Sequence, residues 1–162
     1  MFDATDYTCA VAMEEIEFGT NGPGGRLMAL DVGSRTIGLA VSDPLGITAQ
    51  GLPTIRRKNK RTDLAALKDV IEKYDVRELI IGLPLRMSGA EGIQSGKIRE
   101  FAEMVEKHFK LPVRLWDERL TSVEANRVLR ESEMSISKRA AVVDQLAAVL
   151  ILQNYMESRH HQ

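Results

Sequence analysis

Residues 27–43 read LMALDVGSRTIGLAVSD and carry the clearest structural signal in the chain. The apolar run predicts a buried strand that delivers Asp31 to its carboxyl end. Gly33 and Gly38 bracket a tight reversal into a second strand, Ile37–Ser42. A carboxylate at such a strand end is costly unless it binds a cation or meets hydrogen-bond donors, so Asp31 is a candidate site residue.

Two more acids lie in equally apolar surroundings far along the chain. Glu118 leaves the end of a predicted strand, and its neighbour Asp117 faces the opposite way because side chains alternate along a strand. Asp144 interrupts a helical run that is apolar nearly all round. Considered alone, each acid has a purely structural alternative. Asp31 would accept hydrogen bonds from the turn amides, and Asp144 would form an ion pair with an arginine. Together, three carboxylates from separate buried elements are what a divalent-metal phosphodiesterase site requires.

Length and composition predict one globular domain. The chain has 162 residues, of which 44% are hydrophobic and 28% charged. Its single cysteine, Cys9, excludes an intramolecular disulfide and a cysteine-based zinc site. No apolar run approaches the roughly 18 residues of a membrane span, and the first residues lack the features of a signal peptide. We therefore expect a cytoplasmic protein that does not associate with membranes.

The charges are distributed unevenly. Residues 1–25 contain five acidic residues and no lysine or arginine, and they end in a glycine-rich stretch typical of a flexible linker. The rest of the chain is therefore mildly basic, which weakly favours an anionic partner, although an ordinary solvated surface explains the charge about equally well. We expect a flexible acidic N-terminal extension at 1–25, one domain at 26–158 and a disordered tail at 159–162.

The order of the elements predicts an α/β fold. Short connections make the first three strands antiparallel neighbours, and the later alternation of strand and helix implies parallel strands joined by right-handed crossovers. The predicted strands are Leu27–Asp31, Ile37–Ser42, one within Ile47–Ile55, Val76–Leu83 and Pro112–Glu118. The predicted helices are Thr62–Tyr74, about Gly96–Phe109, one from residue 121 to about residue 130, and a long final helix capped by Ser137 that ends near Met156.

Four segments of the chain carry a resemblance to a known family. Residues 30–43, 80–89, 117–122 and 143–152 resemble, in unbroken order, the motifs of the YqgF/RuvX family, and the likeness covers about residues 26–158. That family is described both as Holliday junction resolvases and as the nuclease that processes pre-16S ribosomal RNA. The resemblance implies a ribonuclease H-like fold, with a mixed five-stranded sheet and helices on both faces. It also implies that Asp31, Glu118 and Asp144 are catalytic acids that hold one or two Mg²⁺ or Mn²⁺ ions.

Basic residues supply candidate contacts to nucleic acid. The family often has a basic residue just before the Ile-Gly of its first motif, where this chain has Thr36, and Arg35 is a candidate substitute. The run at 56–61 has five positive charges in six residues and is interpreted as an exposed, mobile loop that follows phosphates, or alternatively as a solvated loop. The expected nucleic-acid contacts are Arg35, Arg56, Arg57, Lys58, Lys60, Arg61, Arg86 and Arg119.

These observations favour a metal-dependent endonuclease, a monomer or homodimer. Within that class, the resemblance implies processing of the 5′ end of pre-16S ribosomal RNA. A Holliday junction resolvase acting on four-way DNA is the alternative. A non-catalytic nucleic-acid-binding module is less favoured, because pure binding has no use for buried carboxylates near phosphates. The sugar kinases and actin share the Asp-x-Gly turn, but their nucleotide binding needs a second glycine-rich phosphate loop and a larger two-lobed chain. Neither feature is present in this sequence, so nucleotide binding is not favoured.

Overall fold

A computed structural model of the chain describes residues 25–85, 88–89, 92–118 and 136–161. The strands in these ranges are β1 (Arg26–Val32), β2 (Thr36–Ser42), β3 (Ala49–Arg56), β4 (Val76–Leu83) and β5 (Val113–Asp117). The helices are α1 (Lys60–Lys73), α2 (Ile93–Phe109) and α3 (Ile136–His160).

The five strands form one mixed sheet in the order β3-β2-β1-β4-β5. β1 pairs antiparallel with β2, and β2 pairs antiparallel with β3. β4 is parallel to both of its neighbours, β1 and β5. The predicted arrangement of three antiparallel strands followed by parallel strands is confirmed. The carboxyl ends of β1, β4 and β5 therefore lie along one edge of the sheet.

Helices cover both faces of the sheet, as expected. Alternate residues of β1 point to opposite faces, so Met28 and Leu30 pack against α1 and α2, whereas Ala29 packs against α3. All three side chains are fully buried. The side of the sheet that faces α3 is lined by small residues, and this allows the helix to lie close to the strands. These small residues are Ala29, Gly38, Ala40, Gly51 and Gly82.

The helix starts differ slightly from those predicted. Asn59 caps α1, since its side chain accepts a hydrogen bond from the Thr62 backbone N–H at 2.9 Å, so this helix begins two residues before the predicted start at Thr62. α2 begins at Ile93, three residues before the predicted Gly96. Ser137 was expected to cap α3 but is its second residue.

The end of α3 corrects a second expectation. The helix continues to His160, so Arg159 and His160 do not belong to a disordered tail. Glu78 on β4 is 6% exposed and accepts hydrogen bonds from the Tyr155 hydroxyl at 2.6 Å and from Arg159 at 3.4 Å. A buried carboxylate needs such donors, and these contacts hold the last turns of α3 against the sheet. The predicted helix at 121–130 and residues 1–24 of the extension lie outside the described residues.

None of the helices within the described ranges is long and apolar enough to span a membrane.

Candidate active site

The β1 strand places Asp31 on the face of the sheet that α3 covers. Asp31 is paired with Gly38 of β2, next to the end of β1. Because paired residues on neighbouring strands share a face of the sheet, the Asp31 side chain lies on the face where a side chain at position 38 would also lie. That side is occupied by Asp144 of α3, whose backbone would lie against any Cβ at position 38. The fold thus brings together two acids that are 113 positions apart in the sequence.

Glu118 reaches the same face from the edge strand. It follows β5 directly, and a Cβ placed on Gly82 of β4 would lie 2.2 Å from its Oε1 atom. Trp116, two residues earlier, packs on the face of the sheet that α3 covers. Because side chains alternate along a strand, Glu118 lies on this same face. Glycine at 82 therefore leaves the space that the Glu118 carboxyl fills beside β4.

Asp31 and Glu118 are joined by a hydrogen bond between their carboxyl groups. Burial raises the pKa of Asp31, the hydrogen bond from Glu118 opposes that change, and the nearby charge of Asp144 adds to it. Burial, the charge of Asp31, the shared hydrogen bond and the charge of Asp117 together raise the pKa of Glu118 to about 8. Glu118 is therefore the protonated partner that donates to Asp31. Raised pKa values in adjacent buried carboxyl groups are typical of functional sites.

Asp144 is held by a threonine. The Thr36 hydroxyl, at the start of β2, donates a hydrogen bond to Oδ2 of Asp144, and this pairing replaces the arginine partner considered from the sequence. Thr36 also closes the turn, since its backbone oxygen accepts a hydrogen bond from the Gly33 N–H at 2.8 Å. Thr36 thereby links the turn after Asp31 to the acid on α3. The sequence marked this position only as a departure from the family pattern.

The three acids fit a hard divalent cation in chemistry, although their present arrangement is not that of a finished metal site. All three supply carboxylate oxygens, which are the ligands that Mg²⁺ and Mn²⁺ prefer. Burial is the main cause of the raised pKa of Asp31 and of Glu118, and the charges of neighbouring acids add to it, an effect that a bound cation would offset. Within residues 25–85, 88–89, 92–118 and 136–161, however, no group of three or more acidic, histidine or cysteine side chains is already arranged around one point.

The predicted basic run is not one mobile loop. Arg56 ends β3 opposite Thr36, so it lies on the face that carries the acids, and its side chain is exposed. Lys58 is exposed between β3 and α1, whereas Lys60 and Arg61 are exposed residues of the first turn of α1. Arg35 is exposed in the turn between β1 and β2.

Arg57 differs from its neighbours because its guanidinium is used inside the fold. Its Nε atom lies 3.3 Å from the carboxylate of Asp63, which is 3% exposed, and its Nη1 atom donates to the backbone oxygen of Gly33 at 2.7 Å. The same group lies over the ring of Phe101, 5.7 Å from the centroid. The expectation of an exposed, mobile side chain is therefore wrong for Arg57. Arg86 and Arg119 lie outside the described residues.

The strand order, the placement of the helices and the acids on one face define a class, the ribonuclease H-like fold. Two solved structures share it. Thermus thermophilus RuvC in complex with a Holliday junction substrate superposes with a TM-score of 0.51 at 13% identity, covering 84% of this chain and 96% of that chain. Fowlpox virus resolvase in complex with Holliday junction DNA gives a TM-score of 0.54 at 14% identity, covering 83% of this chain and 98% of that chain.

Sequence comparison places the chain within this class. The chain belongs to the RuvX family, whose model, described as Holliday junction resolvase, matches residues 25–158. A Koribacter versatilis protein named "Putative pre-16S rRNA nuclease" is 68% identical over 135 residues, which cover 83% of this chain and 88% of that protein. A Clostridium acetobutylicum protein of the same name is 49% identical over 133 residues, which cover 82% of this chain and 98% of that protein.

Proposed function

We propose that this protein is a metal-dependent endonuclease that hydrolyses phosphodiester bonds and processes the 5′ end of pre-16S ribosomal RNA in the cytoplasm. The observation that carries the proposal is the contact between Asp31 and Glu118, with Asp144 near enough to raise the pKa of Asp31. The names of the similar Koribacter and Clostridium proteins support ribosomal precursor RNA as the substrate.

In the proposed mechanism, Asp31, Glu118 and Asp144 would hold one or two Mg²⁺ or Mn²⁺ ions. A pair of such ions, when bound, activates a water and stabilises the leaving oxygen. Glu118 would first give up the proton that it shares with Asp31, so that both carboxyls become acceptors. The hydrogen bond from the Thr36 hydroxyl to Oδ2 would hold the Asp144 carboxylate in position. Arg56, which is exposed on the same face, would contact the phosphate backbone of the substrate.

The alternative substrate is a four-way DNA junction. The family description and the fold shared with two junction resolvases favour it. A resolvase cuts two strands symmetrically and therefore needs two active sites related by a two-fold axis. A homodimer under assay conditions would support this alternative, whereas ribosomal RNA processing is compatible with a monomer or a homodimer.

A nuclease assay with both substrates tests the proposal. Purified protein is incubated with pre-16S ribosomal RNA and with four-way junctions in Mg²⁺, in Mn²⁺ and in EDTA. Asp31→Asn keeps the shape of the side chain but removes a charge, and we expect it to lower the cleavage rate at least about a hundredfold. Asp69→Asn makes the same chemical change at an exposed position of α1 and serves as the matched control.

The outcomes separate the candidates. Cleavage of the precursor RNA at its 5′ end, lost in EDTA and in Asp31→Asn but kept in Asp69→Asn, is the expected result. Preferred cleavage of junctions by a dimer would select the resolvase. Full activity in EDTA, or in Asp31→Asn, would refute the metal-dependent mechanism.

A further inference from the structure

A second feature of the structure lies on the other face of the sheet from the acids. A cleft of about 590 Å³ opens between the turn that joins β1 to β2, the start of α1 and the first half of α2. Val32 and Ser34 form one wall, one and three residues after Asp31. A chain of three residues spans at most about 11 Å, so the cleft begins close to the acids but around the edge of the sheet.

Most of the charged residues that line the cleft are basic. Arg57 and Asp63, which both line it, are paired with each other. Among the described residues, no carboxylate lies within ion-pair distance of the other basic groups, and Glu100 is the remaining acid in the lining. These basic groups are the exposed lysines Lys58, Lys60 and Lys97. Within the described part of the chain, three ammonium groups that lack an ion-pair partner, against one further carboxylate, give the cleft an excess of positive charge that favours an anion.

The chemistry of the lining favours phosphate groups over bases. Phe101 is the aromatic residue of the wall, but Arg57 already lies over its ring, so this ring is not open for stacking by a base. Lysine acts as a flexible point charge that attracts phosphate without reading sequence. A cleft of this kind suits a sugar–phosphate backbone.

We propose that this cleft binds phosphates of the substrate strand several nucleotides to one side of the cleavage position. The proposal rests on the proposed nuclease function, because it assumes that the acids hold the phosphate to be cleaved. The substrate would pass over the turn at Ser34 and Arg35, with its cleaved bond on the α3 face and its flanking backbone on the α1–α2 face. Lys58, Lys60 and Lys97 would set affinity and register, while cleavage itself stays with the acids.

The test compares two triple variants that remove the same charge. One carries Lys58→Gln, Lys60→Gln and Lys97→Gln. The control carries Lys68→Gln, Lys73→Gln and Lys107→Gln, which lie toward the other ends of α1 and α2. Binding to precursor RNA is measured in EDTA across a range of salt concentrations, so the readout does not depend on cleavage. Unfolding by urea checks that both variants remain folded.

The cleft variant is expected to bind at least about tenfold more weakly at 0.1 M salt, with a slope of log affinity against log salt that is smaller by about two to three units. The control is expected to change much less. The difference in affinity between the cleft variant and the unmodified protein should also disappear on substrates shortened on one side of the cleavage position, because the shortened strand cannot reach the cleft. Equal salt slopes for the two variants would overturn the proposal, and so would a deficit that persists on every shortened substrate. A lack of cleavage by the unmodified protein would instead count against the nuclease function and leave the binding result intact.

Discussion

Replacing Gly38 by alanine tests how the sheet supports the site. A Cβ at this position of β2 would lie 2.1 Å from the backbone oxygen of Asp144 and 3.2 Å from its Cβ. Separations under 3.0 Å are essentially never seen for real Cβ atoms, so α3 and β2 would have to move apart by about 1 Å. The clashing atom belongs to a helix backbone and cannot rotate away as a side chain would.

The expected effects are a loss of stability and a larger loss of activity. Overpacking of this kind costs about 1–3 kcal/mol, which corresponds to a fall of roughly 1 M in the urea midpoint for a typical small domain. A displacement of Asp144 by about 1 Å would also lower the cleavage rate by roughly a hundredfold. Urea unfolding followed by circular dichroism measures the first effect, and the metal-dependent nuclease assay measures the second.

Gly96→Ala is the matched control, because Gly96 lies within α2 and a Cβ there meets nothing within 4 Å. Alanine is the better helix former, so this variant should gain about 0.5–1 kcal/mol and keep its activity. An unchanged urea midpoint and an unchanged rate in Gly38→Ala would refute the close docking of α3 on β2, and with it the placement of Asp144.

Three further changes probe the acids themselves. Gly82→Ala would place a Cβ 2.2 Å from Oε1 of Glu118 and 2.7 Å from Cδ1 of the buried Ile151. Both atoms are the ends of side chains that can shift, so cleavage should fall sharply while the urea midpoint falls by about 1 M or less. Thr36→Val removes the hydroxyl bound to Asp144 and should raise the Mn²⁺ concentrations needed for thermal stabilisation and for cleavage. Thr36→Ser keeps a hydroxyl and should return these two concentrations to their original values. Equal Mn²⁺ concentrations for the two variants would contradict the assigned contact. In EDTA, the stability contributed by Glu118 should be present below about pH 4.5 and should decline as the pH rises toward about 8. Between these pH values the folded protein keeps a proton on Glu118 that the unfolded chain has lost. The decline in the free energy of unfolding should be smaller in Glu118→Gln.

The sheet was predictable from the sequence because its signals are local. The register of β1 with β2 follows from the short turn after Asp31, and the limits of β4 at Val76 and Leu83 agree with the prediction. The limits of α3 were less predictable. The last turn of α3 depends on Glu78, which lies 81 positions before Arg159. No local pattern near the end of the chain reports that contact, so the helix was predicted to end near Met156.

The sequence predicted that Asp31, Glu118 and Asp144 come together, but not the contacts that each of them makes. Asp31, Glu118 and Asp144 stood out because each is a charge in an apolar setting. The contact between Asp31 and Glu118 depends on the position of β5 beside β4 and on the space left by Gly82. The contact between Thr36 and Asp144 joins residues 108 positions apart. Such facts depend on tertiary packing, and a single sequence contains no local sign of them.

The basic run shows why a count of charges does not identify a binding surface. Arg57 and Lys58 are adjacent and both positive, yet only the arginine has a buried carboxylate, Asp63, within reach of its side chain. That carboxylate also accepts a hydrogen bond from the Lys58 backbone N–H at 3.0 Å, so it organises the entrance to α1 through both residues. Arg57 then extends to the backbone oxygen of Gly33 and supports the turn from the side opposite the acids. The guanidinium of Arg57 therefore fixes the position of that turn, whereas no described carboxylate lies within ion-pair distance of the Lys58 side chain. Arg57→Gln should therefore destabilise the fold more than Lys58→Gln does, while Lys58→Gln should weaken nucleic-acid binding without changing the urea midpoint.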